Sequence, residues 1–112
     1  MFAGTTSNGN ARIYRSIDGG ANWSQLTSGL PNGSTRRVEI AISPQDANYL
    51  YAVYSDATQA LEGVYQSTDG GDTWSLKAST PNILGYGNTP GQSWYDLCIS
   101  VSSTNKNQVF VG

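Results

Sequence analysis

Along this chain apolar and polar residues alternate over short runs, and nowhere do apolar positions recur at helical spacing. Val38, Ile40 and Ile42 fall on one side of an extended segment, and Leu97, Ile99 and Val101 repeat that arrangement further on. Other strands are predicted from Arg12 to Ser16, Asn22 to Leu26, Tyr49 to Tyr54, Gly63 to Ser67, Thr73 to Lys77 and Gln108 to Gly112, with Phe2 to Gly4 opening the chain. Gly, Asn, Asp, Ser and Pro punctuate these runs at short intervals, as turns require. The pattern predicts an all-β chain.

One string occurs twice. Ser16-Ile17-Asp18-Gly19-Gly20-Ala21-Asn22-Trp23 returns fifty-one residues later as Ser67-Thr68-Asp69-Gly70-Gly71-Asp72-Thr73-Trp74. Asp followed by two glycines is a hairpin-turn signal, because glycine reaches positive φ without steric cost. The Asp carboxylate can accept hydrogen bonds from backbone N–H groups about two residues further on, and the Ser hydroxyl can join that network. Trp23 and Trp74 then begin the return strands and can cover the turn with an indole. This motif folds on its own chemistry and needs no ligand to explain it. Catalysis by the repeated aspartates Asp18 and Asp69 is therefore disfavoured.

The repetition extends past the octapeptides. Tyr14-Arg15-Ser16 matches Tyr65-Gln66-Ser67, and Phe2-Ala3-Gly4 matches Tyr51-Ala52-Val53. At an offset of fifty-nine, Ala41 to Pro44 matches Ser100 to Ser103, and Asn48 to Val53 matches Asn107 to Gly112. A repeat of this kind decides the architecture before any single residue does.

The pattern S-x-D-G-G-x-x-W resembles the Asp-box, or BNR repeat, of sialidases, sortilin-type receptors, xyloglucanases and many secreted bacterial propellers. The string Arg37 to Pro44 followed by Gly63 to Trp74, and the segment from Pro81-Asn82-Ile83-Leu84 to Trp94-Tyr95-Asp96-Leu97, are similar to the BNR propellers of large secreted bacterial proteins. The resemblance spans essentially the whole chain and implies a β-propeller. With the strands of a four-stranded blade labelled A to D, the chain reads B-C-D, A-B-C-D, A-B. That is nine antiparallel strands, about two blades, in repeat units of about 2–50 and 51–109 within a single partial segment, 1–112. Propellers close with about four to eight blades, so the partners implied are the remaining blades of a parent or further copies of the chain. An extracellular or cell-surface parent is implied, without a signal peptide in this segment.

Composition narrows the function classes. Net charge is −2 and 12% of residues are charged, with no basic stripe, which disfavours nucleic acid. No apolar run is long enough for a signal peptide or a membrane span. Ser, Thr, Asn, Gln and Gly build the polar surface, a composition that suits a glycan- or protein-facing extracellular protein. The single cysteine, Cys98, precludes an internal disulfide. It aligns with Glu39, and free Cys favours burial, so it is expected to pack against a neighbouring sheet. With no His and no metal-ligand spacing, neither a thiol catalyst nor a metal is expected, and no cofactor is implied. Asn22-Trp23-Ser24 and Asn32-Gly33-Ser34 match the N-glycosylation acceptor pattern.

The predicted strand order puts the A–B turns and the octapeptide turns at one end. Thr5 to Ala11, Ser28 to Arg37, Ser55 to Glu62 and Ser79 to Tyr95 then share the other. In the families resembled, the boxes lie away from the binding face, so this second end is where a site is expected. Ser79 to Tyr95 is the longest of these loops, and loops of that length are usually functional. Its Tyr86, Trp94 and Tyr95 offer flat surfaces for a sugar ring or a peptide, or else cap the inner strand. Arg36, Arg37, Glu62 and Asp96 are expected on the same rim. Glu62 and Asp96 could form a glycoside-cleaving pair, which requires a separation of about 5–9.5 Å, but a structural Arg37–Asp96 salt bridge is the plainer expectation. The arginine cluster of sialidases cannot be assembled, since Arg12 and Arg15 flank an octapeptide strand. Three functions stand: a non-catalytic scaffold segment with part of a glycan- or protein-binding rim, a fragment of a glycoside hydrolase, or a fragment that closes a ring by self-assembly.

Overall fold

The computed structural model describes residues 1–85 and 91–112. Ten strands are present, with no helix among the described residues: β1 (Phe2–Gly4), β2 (Thr6–Gly9), β3 (Ile13–Arg15), β4 (Ser24–Leu26), β5 (Thr35–Ile42), β6 (Leu50–Asp56), β7 (Leu61–Ser67), β8 (Ser75–Ala78), β9 (Ile99–Val101) and β10 (Val109–Val111). They form three antiparallel sheets, in the orders β1-β3-β4, β2-β5-β6-β7-β8 and β10-β9. The all-β, antiparallel expectation therefore stands.

Pairing follows the sequence repeat residue for residue. Phe2, Ala3 and Gly4 face Arg15, Tyr14 and Ile13 in the first sheet. Their counterparts Tyr51, Ala52 and Val53 face Gln66, Tyr65 and Val64 in the second. At the other offset, Ile40, Ala41 and Ile42 face Ala52, Tyr51 and Leu50, while Ile99, Ser100 and Val101 face Val111, Phe110 and Val109. Register is fixed wherever a strand face is buried, so equal strands with equal buried faces pair equally.

Nine strands were expected and ten are found. The extra one is β2, which the hydrophobic pattern assigns to a loop because Thr6-Ser7-Asn8-Gly9 has no apolar residue. It forms by pairing with the free edge of β5, Thr6 opposite Arg37 and Gly9 opposite Thr35. An exposed edge offers unpaired backbone groups that recruit any extended segment within reach.

The five-stranded sheet is covered on both faces. From its central strand, Leu50, Ala52 and Tyr54 point to one side and pack with Ile13 of the first sheet, with Ala11 just before it, and with Val38, Tyr65 and Trp74. Val53 points to the other side and packs with Leu61, Val64 and Leu97, flanked by Ile99 and Val111 of the third sheet. Gly4 permits the first contact to be close, since a Cβ there would stand 2.6 Å from the Val38 carbonyl oxygen. The outer face of the third sheet is bare by comparison: Phe110 of β10 is 58% exposed. Cys98 lies on such a face and is exposed, contrary to the expected packing. Leu97 and Ile99 turn toward the five-stranded sheet, so Cys98 between them turns away from it.

Candidate functional site

Both octapeptides fold into the same hydrogen-bonded turn. Ser16 Oγ donates to Asp18 Oδ1 at 2.8 Å, and Ser67 Oγ donates to Asp69 Oδ1 at 2.7 Å. The second glycine N–H then donates to the serine Oγ, at 2.8 Å from Gly20 and 2.9 Å from Gly71. Each carboxylate accepts the backbone N–H four residues on, at 2.9 Å from Asn22 and from Thr73, two residues further than expected. The indole N–H of Trp23 donates to Gly20 O and that of Trp74 to Gly71 O. Positive φ at Gly19, Gly20, Gly70 and Gly71 lets the chain make this turn. Hydrogen bonds to the charged form hold both carboxyls well below the usual range, at about 2, led by the Asn22 backbone for Asp18 and by the Thr73 side chain for Asp69. These aspartates are fully engaged in the turn.

The turn of residues 43–49 joins the second octapeptide, with Gly70 N donating to Asn48 O at 3.1 Å. The matching turn of residues 102–107 rests beside it. Lys106 Nζ pairs with Asp46 at 3.1 Å and lies over the Tyr49 ring at 3.9 Å. Its carbonyl accepts from Tyr51 Oη at 2.9 Å. This end of the sheets is closed by short, self-satisfied turns.

The four long loops meet at the opposite end. Arg12, just below the first, reaches Asn32 O in the second at 3.0 Å. Gln59 O accepts from Ser93 Oγ at 3.0 Å, and Asn82 Oδ1 accepts from Leu61 N at 2.9 Å, joining the third loop to the fourth. Gly9, Ser34, Arg36 and Ala57 line a hollow of about 490 Å³ drawn from three of these loops. The Arg36 guanidinium at its wall donates no hydrogen bond among the described residues. Such a hollow suits a polar or anionic group, by charge and by the hydroxyl of Ser34.

Other rim candidates divide. Arg37 lies at the loops but does not pair with Asp96. It pairs instead with Glu39 at 2.7 Å and donates to the carbonyls of Trp94 and Tyr95, both at 3.1 Å. The reason is strand parity, since Arg37 and Glu39 share one face of β5 and meet two residues apart. Asp96 is exposed and makes no ion pair among the described residues. Trp94 is 50% and Tyr95 72% exposed, with ring centroids 5.5 Å apart. They therefore present a tilted aromatic pair to solvent. Tyr86 lies outside the described residues.

Comparison with protein-family models, curated proteins and solved structures finds no match to this chain.

Glu62 is held by Tyr65, whose hydroxyl donates to both carboxylate oxygens at 3.1 and 3.0 Å. Burial pushes the Glu62 carboxyl up despite that bond, and burial with the neighbouring carboxylate pushes the Tyr65 phenol up. The Tyr65 ring is 7% exposed and sits edge-on to Tyr54 at 5.6 Å. This pair is a core tyrosine with its hydroxyl satisfied. Tyr54 Oη and Ser55 Oγ, both buried, have no partner among the described residues. No cluster of metal-ligating side chains occurs among the described residues either.

Two features of this end carry no hydrophobic signal and are missed from sequence. One is the anchoring of Trp94 and Tyr95 by their carbonyls. The other is Asp56, whose Oδ1 accepts from Thr58 N, Thr58 Oγ1 and Ala60 N and so folds its own loop. The Asp-x-Thr spacing is a turn signature that would have found it.

Proposed function

We propose that the chain is a non-catalytic segment of an extracellular Asp-box β-propeller, a scaffold whose long-loop end contributes part of a glycan- or protein-binding rim. One observation carries this reading. Two equal octapeptide hairpins sit in sheets stacked in repeat register, self-satisfied turns close one end, and four unequal loops gather at the other. A scaffold that repeats one end and varies the other separates folding from recognition. In this reading the three sheets are the B-C-D, A-B-C-D and A-B segments, with β2 an added edge strand.

Recognition at the rim falls to Trp94 and Tyr95 as stacking surfaces and to Arg36 in its hollow. An aromatic pair and, in its own hollow, a guanidinium at the same loop end suit a sugar bearing a carboxylate or sulfate. The catalytic alternative gains no specific support, because Glu62 is committed to Tyr65 and its proposed partner Asp96 stands in solvent.

Glycan-array binding tests the rim. Binding to an acidic glycan that is lost in Trp94→Ala and in Arg36→Ala, with unchanged thermal midpoints, is the expected result. An array without binding, or binding indifferent to both substitutions, removes the rim and leaves scaffold alone. Solution mass by light scattering tests the open stack: association through the bare outer faces is expected, and a clean monomer at high concentration contradicts it.

A further inference from the structure

The repeat supplies its own template for an interface. On the first sheet, the second octapeptide hairpin is already docked. Tyr65 and Trp74, both on the β7–β8 hairpin, fill the core against Ile13, with Phe2 and Leu26 packed on them. Gly71 lies on the Phe2 ring, where a Cβ would come within 2.9 Å of Cε1. Arg15 donates to Gly70 O at 3.1 Å and pairs with Asp72 at 2.6 Å. Backbone contact completes it, Trp74 N donating to Ser28 O at 3.1 Å.

Carry those seat residues forward by the repeat. Phe2, Ile13, Arg15, Leu26 and Ser28 become Tyr51, Val64, Gln66, Lys77 and Ser79. The first four line one wall of a second groove, of about 490 Å³, between the five-stranded and two-stranded sheets, together with Ala78 and with Ile83 of the fourth loop. The other wall carries Asn107, Val109 and Val111. By the other offset these are the counterparts of Asn48, which accepts from Gly70 N, and of Leu50 and Ala52, which pack with Tyr65 and Trp74 in the filled interface. The groove thus repeats both walls of a filled interface, and among the described residues the outer edge of β10 beside it carries no partner strand.

We infer that this groove is a docking seat for a β-hairpin of the form Tyr-x-Ser-x-Asp-Gly-Gly-x-x-Trp, paired antiparallel to β10 as β7 is paired to β6. Its tyrosine and tryptophan fill the space between Val64 and Val109. Its second glycine lies on the Tyr51 ring, where no side chain fits. Two changes set what the seat prefers. Gln66, whose Nε2 donates to Tyr51 Oη at 2.6 Å, replaces Arg15, so the salt bridge to the residue after the glycines has no counterpart. Lys77 replaces Leu26, so an acidic side chain near the hairpin's return strand is favoured. The correspondence ends at Ser79, beyond which the loops diverge in length. The inference rests on the scaffold reading above, and it adds the partner and its contact residues.

The seat is tested by extending the intact chain. Gly112 corresponds to Val53, so a copy of residues 54–79 placed after Gly112 continues the repeat in phase. Amide hydrogen exchange of Val109–Val111 is then compared among the 112-residue chain, the extended chain, and an extended chain with Gly71→Ala and Trp74→Ala in the appended copy alone. Slowing of at least about tenfold in the extended chain, reversed by the double substitution, is expected. Equal exchange in both extended chains overturns the seat. Protection in the unextended chain that grows with its concentration overturns it too, by assigning the groove to a second copy pairing through β10. Trp74→Ala in the unextended chain separates the two readings: if it leaves stability unchanged, the stacked scaffold itself is wrong, whatever the appended hairpin does.

Discussion

Gly71 rests on the ring of Phe2, close enough that an added methyl group would stand 2.9 Å from Cε1 and 3.3 Å from Cζ. Its φ of 94° already excludes most side chains. Gly20 shares the backbone conformation, at 97°, but its nearest foreign neighbour is the Met1 sulfur at 3.6 Å. Gly71→Ala should therefore cost both backbone strain and a clash, about 1–3 kcal/mol or somewhat more. Gly20→Ala should cost the strain alone. Thermal denaturation of the two variants side by side checks the order; equal losses would mean that the Phe2 contact is unimportant.

The two tryptophans offer the same comparison in the side chain. Trp74 is 6% exposed, and Trp23, its counterpart, is 41% exposed. Trp74→Ala should destabilise by about 3–5 kcal/mol, as core aromatics do. Trp23→Ala should cost about 1 kcal/mol or less. Urea unfolding midpoints at constant slope measure both.

Acid should act on the octapeptides first. The carboxyls of Asp18 and Asp69 are held at about 2, below the ordinary 3.8. A depressed folded-state value means that the unfolded chain binds protons first, so stability is present above about pH 4 and is lost as pH falls toward 2. Asp69→Asn should lower stability at neutral pH and flatten its pH dependence in that window. Thermal midpoints taken between pH 2 and 5 show whether the slope belongs to these residues.

Glu62 should contribute the opposite slope. Burial raises its carboxyl above the ordinary 4.5, so the folded state holds the proton longer than the unfolded one. Stability should fall as pH rises through and above that value, and Glu62→Gln should remove the fall. A variant that keeps the wild-type slope there would assign it to another group.

Arg37 should govern the aromatic pair at the rim. Arg37→Ala deletes the bonds to the Trp94 and Tyr95 carbonyls and the exposed ion pair to Glu39, for about 1 kcal/mol or less in global stability. Limited proteolysis between residues 92 and 97 should nonetheless accelerate several-fold. Unchanged cleavage would show that Ser93 Oγ on Gln59 O holds the loop without it.

Legibility in the sequence divides along physical lines. Register was readable because the residue types of β6 and β7 recur at Phe2–Gly4 and Ile13–Arg15. The octapeptide turn was readable because Asp-Gly-Gly encodes its own φ values, although the carboxylate reaches four residues on and not two. Strand β2 was not readable, since Thr6–Gly9 owes its conformation to the edge of β5 and to nothing in itself. Nor was the fate of Cys98, which depends on what lies against the two-stranded sheet. At the rim, gathering of the loops followed from strand order. The Arg37–Asp96 bridge did not follow, because Glu39 sits nearer on the same strand face and takes the guanidinium.

Strand β2 also changes how the stack bears load. By sequence it leaves the first sheet, and by hydrogen bonding it belongs to the second, with Ala11 N donating to Thr35 O at 3.2 Å just beyond it. Side-chain packing between sheets yields gradually as a gap opens. A backbone ladder resists until its bonds break in sequence. Tension drawn between these two sheets must peel Thr6–Gly9 from β5, so the long-loop end is stitched like a seam and yields with a defined rupture force.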